Sequence, residues 1–521
     1  MKKIFYAALC MLAVGTAQAQ ETYEIADLST QDLNGTARYV GMGGALEALG
    51  ADISTISTNP AGIGLFRKSQ LTGSLGLVSQ NDEQGFASAN KTNLSFDQLG
   101  FVWANQMSPT SYVNFAVNYH KSRNFNQLLS VADRLGGASQ SKLTLDKFDW
   151  GVVLNDQDLT YSHVDALYHS AFYCDNSSGT EQSILFDANG DYIPGAGYRF
   201  GGSDYLYHRG NNGYVSQFDF NLSGNINNRV YLGASLGLYN VNFHGHTVYA
   251  ENLMGNIHNV SDVELEDKRE IEGTGVDVKL GAIFCPVEES PFRIGVYLNS
   301  PTFYSMESSN KTVLRWKVNG TPDYEGVNSS FKYEYRTPWK FGLSAGHTID
   351  NYLAFGATYE YADYSTSDAR IKDASYDSYY DTYSSESDDK MNAHIKQTLK
   401  GVSTFKVGVE YRPDKDLAIR MGYNYVSPMY KKDASRGVDV WSIANCESSS
   451  TEYINWKDTH RLTVGLGFNL GSGFKLDAAY QFSTQKGQFL PFAGGADDNL
   501  PYDKEVKFAR NQWMMTLTYA L

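Results

Sequence analysis

Hydrophobic and polar residues alternate along most of the chain after Ser69. In residues 229–239, Val, Leu, Ala, Leu and Leu occupy one set of alternate positions, and Tyr, Gly and Ser fill most of the other set. The same alternation recurs in residues 352–361 and 461–470. Because successive side chains of a β-strand point to opposite faces, this period of two predicts strands with one apolar and one polar face.

Fourteen strands can be placed in this way. Their predicted bounds are 69–80, 93–106, 111–120, 214–225, 229–246, 268–285, 291–303, 329–347, 351–366, 398–412, 415–427, 459–470, 473–484 and 507–521. Links after even-numbered strands are short, whereas those after odd-numbered strands contain roughly 12 to 93 residues. A soluble β-sandwich would alternate too, but regular alternation of short and long links is typical of a closed outer-membrane barrel. We therefore predict an all-β fold, a 14-stranded antiparallel transmembrane β-barrel with long, partly helical extracellular loops.

The last predicted strand supports this interpretation. One of its faces carries Trp513, Met515, Leu517, Tyr519 and Leu521. An aromatic-rich strand that ends at the terminal carboxylate resembles the recognition signal of bacterial outer-membrane barrels, in which Phe is commoner than Leu at the last position.

The N-terminal residues 1–19 predict export. A basic start, an apolar core over 4–14 and Ala-Gln-Ala before Gln20 have the layout of a cleaved secretory signal. We expect the mature protein in the outer membrane of a Gram-negative bacterium. It would consist of a pre-strand segment, 20–68, and the barrel, 69–521.

Composition favours one large β-protein over several globular domains. The 521 residues include 48 Gly and 37 Tyr but only 12 Pro, and no internal run of about 18 apolar residues predicts a membrane-spanning helix. The formal net charge is -15, which makes nucleic acid an unfavourable partner. Cys10 lies in the signal, so three Cys remain, which is not a disulfide framework, although Cys174 and Cys446 could pair in an oxidising compartment.

Residues 36–66 are rich in small residues and do not alternate. Four glycines permit tight turns and close backbone contacts: Gly41, Gly43, Gly44 and Gly50. Asn59-Pro60-Ala61-Gly62 predicts a turn, because proline fixes its own φ and biases the preceding residue away from helix. A barrel of about 14 strands is too wide for side chains to fill. We therefore predict that residues 20–68 fold into a small plug inside the barrel.

The same segment carries a resemblance to a known family. Gly41-Met42-Gly43-Gly44-Ala45, Ala51-Asp52 and Asn59-Pro60-Ala61-Gly62 are spaced as in the N-terminal hatch of FadL-type outer-membrane transporters, with weaker echoes at 299–302 and 407–412. These proteins carry long-chain fatty acids and, in related members, aromatic hydrocarbons through a 14-stranded barrel. The resemblance therefore implies that residues 20–68 are such a hatch. The long excursion 121–213 has no obvious counterpart in the best-known members.

The resemblance also implies a mechanism and site residues. A hydrophobic ligand would move from the outer loops to an apolar pocket, pass the shifted hatch and leave sideways at a kink in the third strand. Asn59, Pro60 and Ala61 would lie in the hatch near this window, or alternatively would only form the turn that packs the plug. A structural role in the hatch backbone is expected for Gly41, Gly43 and Gly44. The predicted third strand contains no Gly or Pro between Tyr112 and His120 to produce the kink.

Two outer loops are distinctive. Residues 121–213 contain helix-like segments around 124–135 and 160–173. Within them, Asp187-Ala188-Asn189-Gly190-Asp191 is interpreted as an Asn-Gly turn, because it lacks the full acidic spacing and the bidentate Glu of a calcium loop. Residues 373–390 combine six acidic residues with four Tyr, which predicts a solvated, mobile loop.

Other chemistry finds less support in the sequence. His244 and His246 share a strand face, and His163 and His169 lie in the long loop, but no haem-attachment motif accompanies them, so we interpret them as polar residues. No G-x-S-x-G elbow occurs, and we predict no catalytic residue, cofactor or metal. We expect five inward-facing charges to hold the hatch rather than substrate: Arg293, Lys406, Glu410, Arg420 and Arg461.

The sequence thus predicts a monomeric outer-membrane channel for passive uptake of fatty acid-like hydrophobic solutes, in contact with membrane lipids and lipopolysaccharide. Uptake of aromatic hydrocarbons or haem by the same fold is one alternative. A surface receptor or adhesin that acts through its outer loops is another, and an outer-membrane enzyme is a third.

Overall fold

The structure is a computed structural model that describes residues 21–521 apart from 151–160, 176–181, 188, 190, 256–259, 288 and 378–381. Nineteen β-strands form one antiparallel sheet. This sheet closes on itself because the first strand pairs with the last along its whole length, from Gln70–Ala520 to Gln80–Arg510. Five of the fourteen barrel strands consist of two segments each, and the predicted closed 14-stranded barrel is confirmed.

The strands are β1 (Gln70–Gln80), β2 (Thr92–Ser108), β3 (Ser111–Asn124), β4 (Gln127–Arg134), β5 (Cys174–Asp175), β6 (Gln182–Ser183), β7 (Gly201–Ile226), β8 (Val230–Met254), β9 (Val260–Phe284), β10 (Arg293–Asn299), β11 (Phe303–Val318), β12 (Thr321–Arg336), β13 (Lys340–Ile349), β14 (Leu353–Asp363), β15 (Asp368–Asp377), β16 (Thr382–Ser387), β17 (Gly401–Tyr411), β18 (Leu417–Val426), β19 (Tyr453–Gly471), β20 (Phe474–Leu490) and β21 (Lys504–Ala520). Strands β5 and β6 form a separate two-stranded sheet.

Several strands extend further outward than the sequence predicts. Strand β7 begins at Gly201 rather than at 214, and it pairs with β8 from Gly201–Met254 onward. Residues 210–213, Gly-Asn-Asn-Gly, carry turn signals and conceal this extension. The glycine at 213 is needed inside the strand, because it has a φ of +109° and a Cβ there would meet the Asn242 carbonyl oxygen at 2.1 Å.

The outward faces of the strands form an apolar band around the barrel. Exposed members include Leu71, Phe101, Phe115, Phe220, Leu280, Leu343, Phe405, Val464 and Met515. Aromatic rings pair across neighbouring strands on this face, as in Tyr119–Phe218 and Tyr359–Phe405, with ring centroids 5.0 and 4.9 Å apart. Such a band, with polar residues on the inner face, is what a barrel in lipid requires. Among the described residues, no helix is both long and apolar enough to cross a bilayer.

The hatch, described from residue 21 to residue 68, lies inside the barrel. It consists of helices α1 (Thr22–Ser29) and α2 (Ala37–Gly41) and two 3-10 turns, Ile53–Ser57 and Pro60–Leu65. Its apolar side chains are buried against the inner wall, among them Ile25, Met42, Leu46, Ile53 and Ile63. The barrel is therefore plugged by its own N-terminal segment.

The long excursion differs from the prediction at one of its two helices. The segment around 124–135 is not helical: residues Gln127–Arg134 form β4, which pairs with the outer part of β7. The apolar cluster Leu-Leu-x-Val in this stretch suits either structure, and the outward extension of β7 supplies the strand partner. The second helix is present as α4 (His163–Tyr173), with a capping box between Ser162 and Asp165. Helix α3 (Gln140–Asp149) precedes it.

Helices α3 and α4 cover the outer end of the barrel. They contribute to an apolar cluster with inward side chains of β7, β8 and β20, including Tyr207, Tyr249 and Phe489. A buried ion pair between Lys147 and Asp165 joins the two helices, with Nζ and Oδ2 2.5 Å apart. We call α3, α4 and the segments packed on them the outer cap.

The acidic loop 373–390 is more ordered than predicted. Strands β15 and β16 pair through Tyr376–Tyr383, and helix α5 (Asp389–Thr398) follows directly. Residues 378–381 of this loop lie outside the described residues. In the other outer loop, Asp187 Oδ1 accepts hydrogen bonds from the backbone N–H groups of Asn189 and Asp191 at 2.8 and 3.0 Å, which is the hydrogen-bond pattern of a turn.

Candidate functional site

Buried ion pairs hold the hatch against the barrel wall. Lys406 Nζ of β17 lies 2.9 Å from Glu47 Oε1, which also accepts a hydrogen bond from Tyr39 Oη at 3.0 Å. The second carboxylate oxygen of Glu47 accepts from Thr358 Oγ1 of β14 at 2.8 Å. The Glu47 side chain is fully buried. A carboxylate removed from water requires such a cation and such donors, so this pair fixes the position of the hatch.

A second pair fixes helix α2. Arg38 Nε lies 3.2 Å from Glu410 Oε2, and Arg420 Nε lies 2.6 Å from the same oxygen. Arg420 Nη1 also contacts Asp477 Oδ1 at 2.5 Å. The hatch arginine thus enters a network of alternating charges on strands β17, β18 and β20.

Arg293 of β10 completes these contacts, because its Nη1 donates to the Leu49 carbonyl oxygen of the hatch at 2.7 Å. The predicted hatch-holding contacts are present for Arg293, Lys406 and Glu410, whereas Arg420 acts on the hatch through Glu410. Arg461 makes no hydrogen bond or ion pair with the hatch among the described residues, but it faces a cavity close to Asp32 of the hatch.

The three glycines of the hatch motif lie at close approaches of the backbone. Gly43 has a φ of +65°, and a Cβ on it would lie 2.8 Å from the backbone nitrogen of Tyr423 in β18. Gly44 has a φ of +78°, and a Cβ on Gly41 would lie 3.2 Å from Gly465 Cα. The hatch backbone at Gly41 and Gly43 therefore lies close to the backbone of the wall, and the conformation of Gly43 and Gly44 favours glycine.

The turn formed by Asn59, Pro60 and Ala61 packs against the inner face of the wall at strands β7, β8 and β9. Asn59 Nδ2 donates to the Glu47 carbonyl oxygen at 3.1 Å, and Asn59 Oδ1 accepts from the Ala61 N–H at 3.2 Å. The Pro60 carbonyl oxygen accepts from Ser223 Oγ of β7 at 2.7 Å. The resemblance implies a window at the third strand near these residues, and Ser223, which contacts Pro60, pairs with Asn114 of β3.

The wall has a gap between β2 and β3. The two strands pair from Ser108–Ser111 up to Gln98–His120. Further outward, residues 92–97 of β2 pair with β1 and residues 121–124 of β3 pair with β7, but no ladder joins them in the part of the chain that the structure describes. A bulge between Lys121 and Arg123 turns β3 away from β2. The third strand therefore carries a bulge beside the gap, just beyond the stretch between Tyr112 and His120 that contains no Gly or Pro.

Apolar side chains line the lipid-facing side of this gap. Leu94 of β2 is 87% exposed, and Phe96 of β2 lies 5.6 Å from Tyr119 of β3 between ring centroids. The gap therefore opens toward the hydrocarbon-facing surface of the barrel rather than toward a polar lumen.

Hatch residues 32–34 close the gap from inside. The Asp32 N–H donates to the Ser122 carbonyl oxygen, and Asp32 Oδ2 accepts from the Asn124 N–H, both at 2.9 Å. Asn34 Nδ2 donates to the Lys121 carbonyl oxygen at 3.0 Å and to Asp97 Oδ1 at 3.1 Å, so it bridges the two edges. These contacts satisfy backbone groups of β3 that β2 leaves unpaired. We call Asp32–Asn34 the hatch clasp.

A cavity of about 220 Å³ lies on the inner side of the clasp. It is bounded by the hatch on one side and by the interruption of the third strand, residues 122–127, on the other. Part of its lining is apolar and aromatic, with Phe125, Met429, Tyr430, Trp456 and Phe508. The pocket expected from the sequence is thus present, but it is only partly apolar.

Another part of the lining is charged. Arg123, Arg461 and Arg510 lie close enough to Asp32 to act on its charge. Arg510 Nη2 pairs with Asp32 Oδ1 at 2.9 Å, and Arg123 Nη2 pairs with Asp27 Oδ1 at 2.6 Å. Arg461 makes only one hydrogen bond, to Asn424 Oδ1 at 2.9 Å, and no carboxylate pairs with it in the described part of the chain. One buried guanidinium at the cavity therefore has no ion-pair partner among the described carboxylates, although Asp32 lies close enough to act on its charge.

A second cavity of about 120 Å³ continues outward from the first. The two share part of their lining, including Asp27, Gln127, Tyr430 and Trp456. Tyr23 of α1 stacks on Tyr430, with ring centroids 5.0 Å apart. Helix α1 of the hatch therefore lies along both cavities, and together they trace a route past it.

The four histidines considered from the sequence contact carboxylate or hydroxyl groups. His246 Nε2 lies 2.8 Å from Glu266 Oε1, His244 Nδ1 lies 3.6 Å from Glu270 Oε1, and both side chains are on the outer face of β8. None of the four histidines considered from the sequence lines either cavity. His169 contacts Ser183 Oγ in the outer cap at 2.8 Å.

His163 also lies in the outer cap, where its Nε2 is 3.8 Å from Glu447 Oε2. Burial lowers the pKa of His163 to about 4 and raises the pKa of Glu447 to about 7. Both groups are therefore shifted toward their neutral forms.

Comparison with known proteins gives structural matches only. The chain matches no family model, and no curated protein matches it in sequence. It is similar in structure to the Ralstonia pickettii toluene transporter TbuX, with 12% identity and a TM-score of 0.49 over 94% of this chain and 99% of that one. It is also similar to the Pseudomonas putida toluene transporter TodX, with 11% identity and a TM-score of 0.49 over 94% of this chain and 99% of that one. The match to a Pseudomonas aeruginosa FadL homologue has 12% identity and a TM-score of 0.47 over 97% of this chain and 99% of that one.

The sequence analysis missed the clasp and two of the cavity arginines. Asp32 and Asn34 lie in a polar stretch before the glycine motif and match no pattern that was sought. Arg510 alternates with Gln512 on the inward face of the last strand, so the period of two already placed it in the bore. Arg123 lies just beyond the predicted end of the third strand, at the bulge.

Proposed function

We propose that this protein is an outer-membrane channel through which hydrophobic solutes pass by diffusion. The observation that carries the proposal is the juxtaposition of the cavity, the gap and the clasp. A cavity with aromatic walls lies directly behind an interruption of the barrel wall, and only hatch residues 32–34 separate the two. This arrangement would give an apolar molecule a route from the outer side into the bilayer without crossing bulk water.

The outer cap favours an indirect route into the cavity. Helices α3 and α4 and their partners fill the outer end of the barrel with buried aromatic side chains. A ligand would therefore reach the 220 Å³ cavity through the smaller cavity beside α1, past Tyr23 and Tyr430. Sideways exit at the gap would follow when the clasp moves.

We infer that the ligand is fatty acid-like, with an apolar chain and an anionic head. Phe125, Met429 and Trp456 offer contacts to a chain, and the guanidinium of Arg461, which pairs with no carboxylate among the described residues, offers a partner for a carboxylate. An aromatic hydrocarbon would use only the first of these groups. The buried charge therefore favours a fatty acid over a hydrocarbon.

A disulfide lock across the gap tests the proposal. In a variant whose three native cysteines are replaced by alanine, Asn34→Cys and Asp97→Cys would join the clasp to β2, because the two side chains are already in contact. Oxidised protein in liposomes should carry dodecanoate at the protein-free rate, and reduction should restore transport. The matched control is the pair Ser79→Cys and Thr92→Cys, which joins β1 to β2 across a 2.9 Å contact away from the hatch. Equal transport by the two oxidised variants would refute the route.

A further inference from the structure

The outer part of strand β12 has an edge that no other described strand covers. On one side, β12 pairs with β11 along its whole length. On the other side, β15 pairs only with residues 334–336. Among the described residues, the backbone from Thr321 to Tyr333 therefore has a ladder on one side and none on the other. An open strand edge of this length is a template for a further strand.

The turn between β11 and β12 shows which backbone groups face this free edge. Asn319 and Gly320 form a two-residue turn in which both φ angles are positive, 51° and 76°. Such a turn is closed by a hydrogen-bonded pair, here Val318 and Thr321. Hydrogen-bonded positions alternate along an antiparallel ladder, so the even-numbered residues of β12 direct their N–H and C=O groups away from β11. In agreement, the Tyr324 N–H donates to the Asp323 side chain at 2.9 Å.

The hairpin of β11 and β12 is anchored on the side of β11. Leu314 and Trp316 are buried in the apolar cluster of the outer cap. By contrast, residues 321–330 are exposed except for Val327 and Ser329, which are half-buried. The outward positions of this stretch carry mostly small or polar side chains, unlike the apolar band, so it lies in water beyond the bilayer. A strand edge that is already fixed in place binds a partner with little further loss of conformational freedom.

A second copy of the chain in the same membrane does not fit this edge. Strands of a membrane barrel tilt by about 35–45°, and two copies that stand side by side present strands of the same tilt. Facing strands would therefore cross at roughly 70–90°, far from the small rotation between neighbouring strands of a sheet. A flexible segment of another polypeptide has no such constraint and can align with β12.

The side chains at the free end favour a basic segment. Asp323 and Glu325 are both exposed, and they lie on one face of the strand because they are two residues apart. The chain as a whole has a formal net charge of -15. Opposite charges on neighbouring strands stabilise their pairing, whereas like charges directly opposite each other destabilise it.

We propose that the outer part of β12 is a docking site for an extended, lysine- or arginine-containing segment of another polypeptide, which adds a strand to the wall outside the membrane. Backbone groups of Gly326, Asn328 and Ser330 supply the main-chain hydrogen bonds. Asp323 and Glu325 select basic side chains. This site is separate from the cavities, and the inference does not rest on passage of solutes through the barrel.

Peptide binding to the full-length protein in nanodiscs of zwitterionic phospholipid tests the docking site. The probe is a fluorescent peptide of alternating lysine and threonine, as long as the free edge, and its anisotropy should rise on binding. Hydrogen exchange at the amides of Gly326, Asn328 and Ser330 should slow in the complex. The same peptide with a methylated backbone should bind at least about tenfold more weakly, because it has lost its main-chain donors. A peptide of alternating glutamate and threonine should also bind more weakly.

Two variants of Asn328 separate the strand edge from general attraction between charges. Asn328→Pro removes one outward N–H without breaking a bond to β11, and Pro322 already occupies an equivalent position of the strand. This variant should bind the lysine peptide about tenfold more weakly, whereas Asn328→Ala, which keeps the N–H, should bind as the parent does. Unchanged protection of β8 from hydrogen exchange shows that both variants are folded.

Three results would overturn the docking site. The first is equal binding of the lysine peptide by the parent and by Asn328→Pro. The second is equal binding of the lysine peptide and its backbone-methylated form. The third is a dimer of the parent protein in detergent that Asn328→Pro dissociates, because it would identify a second copy as the occupant of the edge.

Discussion

Replacing Glu47 by Gln should loosen the hatch without disturbing the barrel. Glu47 is fully buried, pairs with Lys406 at 2.9 Å and accepts hydrogen bonds from Tyr39 and Thr358. Breaking a buried ion pair by removing one partner costs about 3–5 kcal/mol. Glu360 remains 3.9 Å from the Lys406 ammonium and reduces the loss, so we take the lower end, about 3 kcal/mol.

The free-energy cost of Glu47→Gln predicts a measurable increase in the population of molecules with a displaced hatch. At 1.4 kcal/mol for each factor of ten, about 3 kcal/mol raises the population of displaced hatch about 100-fold. Hydrogen exchange of the backbone amides in residues 37–50 should accelerate by about this factor, while strands such as β8 keep their protection. Because the plug fills the bore, liposomes that contain the variant should also leak small polar solutes.

Two further variants separate the ion pair from unspecific effects. Glu505→Gln removes an exposed pair with Lys486 at 2.8 Å, which should leave the hatch unchanged, because solvent screens exposed ion pairs and they contribute little to stability. Combining Glu47→Gln with Lys406→Met removes both charges and should restore most of the protection. Hatch exchange as slow in Glu47→Gln as in Glu505→Gln would refute the view that buried ion pairs hold the plug.

Other predictions concern the hatch backbone and the outer cap. Gly43→Ala should displace α2 and raise solute leak, because the new Cβ would meet the wall at 2.8 Å; Gly73→Ala, with its nearest neighbour at 3.7 Å, is the control. In Glu447→Gln, His163 alone remains, and its lowered pKa means that the cap loses up to about 3 kcal/mol as the pH falls from 6.5 to about 4. In His163→Gln, the raised pKa of Glu447 reverses the sign, so stability falls as the pH rises from 4.5 to about 7. In the parent protein, the two opposing pH dependences of cap stability should largely cancel between pH 4.5 and 6.5. Hydrogen exchange of the backbone amides of α4 measures the stability of the cap in the parent and in both variants.

Much of the barrel follows from the period of two. Strands such as β8 and β19 carry lipid-facing and lumen-facing residues in strict alternation, and the short turns between them are tight in the structure as predicted. The outward extensions of the strands are not predicted by this period, because one of their faces contacts water and the other contacts the outer cap. Gly213 and its Asn neighbours suggest a turn by composition, although the ladder of β8 keeps them in a strand.

The candidate site depends on contacts that no local pattern encodes. The glycines of α2 are recognisable because close backbone approach requires Gly at those positions. The clasp is not recognisable, since Asp32 and Asn34 acquire their role only when a bulge far along the chain leaves the edge of β3 unpaired. Local sequence is equally insufficient for Arg461. Its inward direction is predictable from the period of two, but whether a carboxylate pairs with it depends on which strands surround it.

The position of a bound ligand tests the account most directly. A structure determined by crystallography or electron microscopy with dodecanoate should show its carboxylate at Arg461 and its chain beside Phe125 and Trp456. Dodecanoate bound only among the outer loops, with the cavity behind residues 32–34 empty, would contradict passage through the barrel.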